Sequence, residues 1–180
     1  QTHFSMSEVP VPEENVLVRG DDAFKSVLRG LNWERLGTAT LPNSFAWGAF
    51  EKALEYAQER TQFGEPIGDF QGIEWKLADM ATKLQSSRTL AYHAAITAQE
   101  QGRVPDPLTT SMAKLQAGQV GEEIVSEALQ IHGARGYQQG HPLEYLYRFA
   151  RAYRIAGGTD GIQRNAIASR LKNGESLSLV

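Results

Sequence analysis

The chain has 180 residues, a formal net charge of -3, a pI near 5.8 and 41% hydrophobic residues. A compact chain of this length buries roughly 70% of the surface its unfolded form exposes, enough for one sound core, while the mildly acidic balance supplies no field for nucleic acid. The absence of Cys excludes disulfides, thiolate catalysis and a cysteine-ligated metal, and no run approaches the roughly 18 apolar residues of a membrane span, so neither nucleic acid nor a membrane is an expected partner.

In chain order, residues 1–20 differ from the rest. Short β-prone runs, Phe4–Pro12 and Asn15–Val18, are interrupted by prolines, which predicts one or two edge strands. Such strands need a partner sheet, and residues 21–180 cannot supply a complete one. The segment therefore reads as the tail of a preceding β domain with a linker, and residues 21–180 as a helical bundle domain. The opening at Gln1 in mid-pattern reads as a fragment or a processed product.

From Asp21 to Gly64 the apolar residues, among them Leu31, Leu36, Ala46, Ala49, Ala53 and Ala57, recur at helical spacing. Val27, Leu28, Phe45, Phe50 and Leu54 widen the stripe. Gly64 suits a left-handed cap and Pro66 cannot continue a helix. Pro42 costs roughly 3 kcal/mol inside a helix, so a kink near Thr38 to Pro42 or two abutting helices is expected. A second helix is predicted from Phe70 to Gln101, closed by Gly102, with Phe70, Ile73, Leu77, Ala81, Leu84 and Ala91 inward. A Pro-rich loop at 104–107 leads to a third, Leu108 to Ile131, with Met112, Leu115, Ala117, Val120, Ile124, Ala128 and Leu129 inward. The glycine-rich segment 132–137 comes next, then a short helix from Pro142 and a last one from Thr159. Three long antiparallel helices with two short ones form an all-α, up-down bundle. The four histidines, at 3, 93, 132 and 141, are scattered and form no metal-ligand constellation.

Three separated motifs then stand out: Tyr56-Ala-Gln-Glu-Arg-Thr-Gln-Phe-Gly-Glu-Pro-Ile67 with Phe70-Gln71, Leu129-Gln-Ile-His-Gly-Ala-Arg-Gly-Tyr137, and Arg154-Ile-Ala-Gly-Gly-Thr-Asp-Gly-Ile-Gln-Arg164. In this order they resemble the C-terminal helical domain of the acyl-CoA dehydrogenases, over roughly Phe24 to Arg170. The resemblance implies an FAD-dependent enzyme that oxidises an acyl-CoA thioester between its α and β carbons. It further implies an electron-transfer flavoprotein as acceptor, a homo-oligomer built as a dimer of dimers, and a cytoplasmic location, or the mitochondrial matrix in a eukaryote.

Residue by residue, Arg60 resembles the arginine that contacts the FAD pyrophosphate, an anion suited to a planar guanidinium; an ion pair near a helix C-terminus is the plainer alternative. Gln62, Phe63 and Gln71 match cofactor-contacting positions. Gln130 and the backbone around Gly133 and Ala134 resemble the contacts to the adenosine diphosphate portion. Thr159 matches a flavin contact and also suits the N-cap of the last helix. Many relatives carry a glutamate base where this chain has Gly157. The resemblance to the isovaleryl and long-chain branches instead implies Glu34 as the base, within Leu31-Asn-Trp-Glu-Arg35, where Leu31 and Trp33 would lower the local polarity. Arg35 and the Gly158 backbone fall on the substrate side. Glu34 and Arg60 are 26 positions apart, roughly 39 Å on an unbroken helix, so one chain cannot bring both to one flavin ring. The other reading of Gly157 is a non-catalytic partner subunit that keeps the bundle for assembly with a base-bearing homologue.

Overall fold

The computed structural model describes residues 2–100 and 105–177. The predicted end of the second helix at Gly102 and the first residue of the Pro-rich loop lie outside the described residues. Among the described residues five α-helices make up the fold: α1 Asp22–Glu59, α2 Gln71–Glu100, α3 Pro107–His132, α4 Pro142–Ala152 and α5 Asp160–Lys172. The predicted all-α bundle is the fold observed. Pro42 lies beside Gly121 and Tyr56 stacks on His132, so α1 and α3 run parallel. Asn43 meets Ser87 while Leu36 and Ala39 pack with Ala94, so α2 runs against both.

The core is built on small side chains. On α2 the buried residues are Met80, Leu84, Ser87, Ala91, Ala94 and Ala98, alternating by four and three as a coiled-coil seam does. Ala46, Ala49, Ala53 and Ala57 carry the matching stripe on α1, and Ala113, Ala117, Gly121, Ile124 and Ala128 that on α3. Small residues let the axes approach, so the core gains from close packing more than from large apolar areas. This shifts several predicted inward positions. Val27 and Leu28 are exposed, Ala81 is exposed, and Met112 and Leu115 are only half-buried.

Pro42 does not split α1, which is a single helix of 38 residues. The lost backbone bond is offset by burial: a Cβ on Gly121 would come within 2.7 Å of the Pro42 Cβ, so the glycine of α3 makes room for the ring. At the next residue, Ser87 Oγ donates to Asn43 Oδ1 at 2.6 Å and Asn43 Nδ2 donates to the Ala39 carbonyl at 3.1 Å. This buried polar layer pins the register of α1 against α2.

Gly64 is not a helix cap. Helix α1 ends at Glu59, and Thr61–Gln62 (β1) and Glu65–Pro66 (β2) form a small antiparallel hairpin. Its loop residues Phe63 and Gly64 have φ of +55° and +95°, the positive values a type I′ turn demands at both positions. Among the described residues before α1 there is no strand, only a 3₁₀ turn at Glu13–Asn15. The β-prone runs form no ladder and are mostly exposed, with Leu17 at 94%, because among the described residues no strand is there to pair with them.

Candidate functional site

At one end of the bundle α1 and α3 form a floor under the turn that joins α4 to α5. Gly157 and Gly158 have φ of +66° and +98°, values glycine adopts without steric cost, and both carbonyls are held from below. Arg35 Nε donates to Gly157 O at 3.4 Å, with its NH1 on Asn32 Oδ1 at 3.3 Å. Gln163 Nε2 donates to Gly157 O at 3.2 Å and Gly158 O at 3.1 Å. Lys114 Nζ donates to Gly158 O at 2.6 Å. In a trans peptide the N–H points opposite to the C=O. Pinning these two carbonyls therefore turns the N–H groups of Gly158 and Thr159 away from the floor.

No larger residue fits at 157. A Cβ there would lie 2.8 Å from Thr38 Oγ1, which is itself bonded to the Arg35 carbonyl at 3.0 Å. At 158 a Cβ would lie 2.7 Å from Gln163 Nε2. Thr159 caps α5, its Oγ1 accepting from Ile162 N at 3.4 Å.

Behind the turn sits an ion-pair network. Arg154 binds Asp160 Oδ2 through Nε and NH2 at 2.9 and 2.6 Å and Glu122 Oε2 through NH1 at 2.7 Å. Burial pushes the Asp160 carboxyl up, but hydrogen bonds from Arg154 and Gln119 and the charges of Arg154 and Lys114 outweigh it and leave it below the usual range. Lys114 is 1% exposed. Its burial drives its pKa down, against the pull of Asp160 and Glu34 and with the push of Arg35 and Arg154. Glu34 is thus near enough to act on Lys114. It is exposed, as is Trp33 at 53%, and Leu31 is half-buried, so the expected apolar surround of Glu34 is not built by this chain.

The other end gathers a second group. Arg60 is half-buried as the C-cap of α1, and its carbonyl accepts from Ile67 N at 2.8 Å, closing the base of the hairpin. Among the described residues Arg60 makes no ion pair. Phe63 is 96% exposed at the hairpin tip, edge-on to Phe70 at 6.1 Å. The Gln62 side chain donates to the Thr61 carbonyl, and Gln71 opens α2 in solvent. Gln130 and Ala134 are exposed, and Gly133 turns the chain with φ of +59° and open space where a Cβ would stand. The Tyr56–His132 stack, with ring centroids 4.3 Å apart, joins α1 to this corner. His132 is buried and bonded through Nδ1 to Ala128 O at 2.8 Å. Burial lowers its pKa, with the Ala128 carbonyl working the other way. Among the described residues no cluster of His, Asp and Glu could hold a metal.

The structure therefore sets Glu34 and Arg35 of α1 beside Gly158 and Thr159 at one end of the bundle, and at the other end places Arg60, Gln62, Phe63 and Gln71 on and around the hairpin and Gln130, Gly133 and Ala134 at the end of α3. Sequence reasoning missed Lys114, Gln163, Thr38 and the Arg154–Asp160 pair. The one available signal was a lysine at a position in helical phase with Ala117, Gly118 and Gly121.

The family model described as Acyl-CoA dehydrogenase, C-terminal domain, matches residues 21–172. A 3-sulfinopropanoyl-CoA desulfinase of Paraburkholderia xenovorans is 41% identical over 160 residues, 89% of this chain and 40% of that protein. An acyl-CoA dehydrogenase of Bacillus subtilis is 39% identical over 173 residues, 96% of this chain and 45% of that one. The structure of butyryl-CoA dehydrogenase from Megasphaera elsdenii superposes with a TM-score of 0.85 at 34% identity, covering 90% of this chain and 42% of that one. The chain thus spans less than half the length of the relatives it matches. The chain belongs to the acyl-CoA dehydrogenase family, and residues 21–172 match its C-terminal domain.

Proposed function

We propose that this chain is part of an FAD-dependent enzyme that removes hydrogen from the α and β carbons of an acyl-CoA thioester, with Glu34 as the base. The observation that carries this reading is the closed position at Gly157. Thr38 and a positive φ leave no room there for a carboxylate, whereas Glu34 stands exposed beside Arg35, whose guanidinium holds the Gly157 carbonyl. Glu34 takes the α proton. The outward N–H groups of the 157–159 turn are disposed to meet the thioester oxygen, where negative charge develops. Arg35 orients the turn and draws the anionic CoA portion toward it.

The residues present fit the cofactor. A half-buried guanidinium at Arg60 that pairs with no carboxylate among the described residues suits a pyrophosphate, and the open left-handed backbone at Gly133 allows close approach of an adenosine diphosphate. Gln62, Phe63, Gln71, Gln130, Ala134 and, at the other end, Thr159 would complete the contacts. FAD, when bound, would supply the acceptor for the hydride, which carries the two electrons of the oxidation. Because the two groups lie at opposite ends of the bundle, each would serve a different flavin, which supports a homo-oligomer, with a flavoprotein as electron acceptor in the cytoplasm or mitochondrial matrix. Exposed Trp47, Trp75 and Tyr92 supply apolar surface for such contacts.

The test is α-proton exchange of a panel of acyl-CoAs by the flavin-loaded protein, with flavin bleaching followed in the same samples. Glu34→Gln should lower exchange by about 10²- to 10⁴-fold, the usual worth of a general base, without moving the melting midpoint, since the side chain is exposed. Exchange that survives the substitution would place the base elsewhere. Bound FAD with neither exchange nor bleaching in the unmodified protein would favour the non-catalytic partner subunit.

A further inference from the structure

We propose that Lys114 is a positioning residue for this reaction: by donating to the Gly158 carbonyl, its buried ammonium orients the 158–159 peptide so that the Thr159 N–H faces the substrate side of the turn. The inference rests on the dehydrogenase reading above.

The geometry carries it. Lys114 is 1% exposed, and its one bond among the described residues, at 2.6 Å, goes to the Gly158 carbonyl. Burying a lysine is costly and is tolerated where the charge is used. Structural duty alone does not need it, because Gln163 Nε2 already reaches the same carbonyl at 3.1 Å. What the ammonium adds is charge. It polarises the peptide whose opposite end is the Thr159 N–H, making that group a stronger donor. Thr110 Oγ1 and Ser111 Oγ, on the preceding turn of α3, are buried without a partner among the described residues.

The charged groups that face Lys114 are Glu34 and Arg35 from α1, Asp160 from α5 and Arg154 from the loop between α4 and α5. Burial is the largest influence and favours the neutral amine. The charge-assisted tether is therefore present at low pH and is lost as pH rises through a midpoint below that of an ordinary lysine, weakening the Thr159 donor on the alkaline side.

Two measurements test this. In protein labelled at the lysine Cε and along the backbone, the Lys114 carbon, identified by its absence in Lys114→Met, should titrate below the other lysines. The Gly158 carbonyl and Thr159 amide shifts should move with the same midpoint and stay flat in Lys114→Met. In the flavin-loaded protein, Lys114→Met should lower kcat for an acyl-CoA about 10- to 100-fold, as a misplaced or weakened contact does. KM should change little, the alkaline limb of the pH profile should disappear, and Lys114→Arg should recover part of the rate. The Met variant should melt no lower than the parent, since it removes a buried charge. Thr159 shifts indifferent to Lys114, or a rate loss that only tracks a lowered melting point, would overturn the proposal. The two possible failures are distinguishable: no α-proton exchange in the unmodified protein overturns the dehydrogenase reading, whereas Lys114→Met exchanging as fast as the parent overturns the positioning role alone.

Discussion

The two ends of the bundle treat left-handed backbone in opposite ways. At the 157–159 turn, Thr38 and Gln163 close the space beside each glycine and Arg35, Lys114 and Gln163 bond the carbonyls. At the hairpin and the end of α3, Phe63, Gly64 and Gly133 also have positive φ, but open space lies beyond both glycines and the aromatic ring stands 96% exposed. The first end is organised from within, by groups whose partners are in the same chain. The second presents its groups outward, as a surface does when its partners come from elsewhere.

The largest effect expected from breaking this contrast is at 157. Gly157→Glu introduces a carboxylate at the closed position, but it forces a side chain into positive φ and against Thr38 Oγ1. Backbone strain and overpacking together should cost about 3 kcal/mol in a urea melt. Adding Thr38→Ala should return part of that, and a double substitution no better than the single one would show that the clash with Thr38 is not what closes the position.

Next comes the network under the turn. Asp160→Asn should destabilise the protein by about 1–3 kcal/mol, discounted from the cost of breaking a buried pair because the Arg154 side chain is 34% exposed. The pH dependence has a definite sign. The folded-state pKa of Asp160 lies below its unfolded value, so its contribution is fully present above an unfolded value of about 3.9 and is lost as pH falls through the lower folded value. An acid melt should show this shoulder in the parent and not in Asp160→Asn.

The smallest effect lies at the open end and has the opposite sign. Phe63→Asn places a residue suited to a type I′ turn where a phenylalanine holds φ of +55°. It should raise stability by about 0.5–1 kcal/mol, with the hairpin amides better protected from exchange, while weakening FAD retention. A gain in stability with unchanged FAD retention would mean that the exposed ring serves only the turn.

The organisation of the bundle was legible in the chain. Helical periodicity, with a cap at Thr159 and breakers at Gly64 and Pro66, located the long and short helices to within a few residues. The register was less legible. Hydrophobic patterns point to large side chains such as Val27, Met112 and Leu115, but the innermost rows here are Ala, Gly and Ser, whose small transfer energies leave a faint pattern. Hence the buried face of α3 carries Lys114 unannounced. Phe63-Gly64 betrayed no hairpin, because a phenylalanine is a poor candidate for a left-handed turn position.

Local chemistry in the sequence alone determined which residues could not serve: no cysteine chemistry, and no base at Gly157. Tertiary structure decided the rest. Pro42 should break a helix by its intrinsic cost, yet α1 runs through it because Gly121, 79 positions away in the chain, admits its ring. The carbonyls of Gly157 and Gly158 are held by Arg35 and Lys114, 122 and 44 positions away. Such contacts depend on how helices rotate and approach in space, and no local preference of a glycine or a lysine encodes which partner the other helices bring.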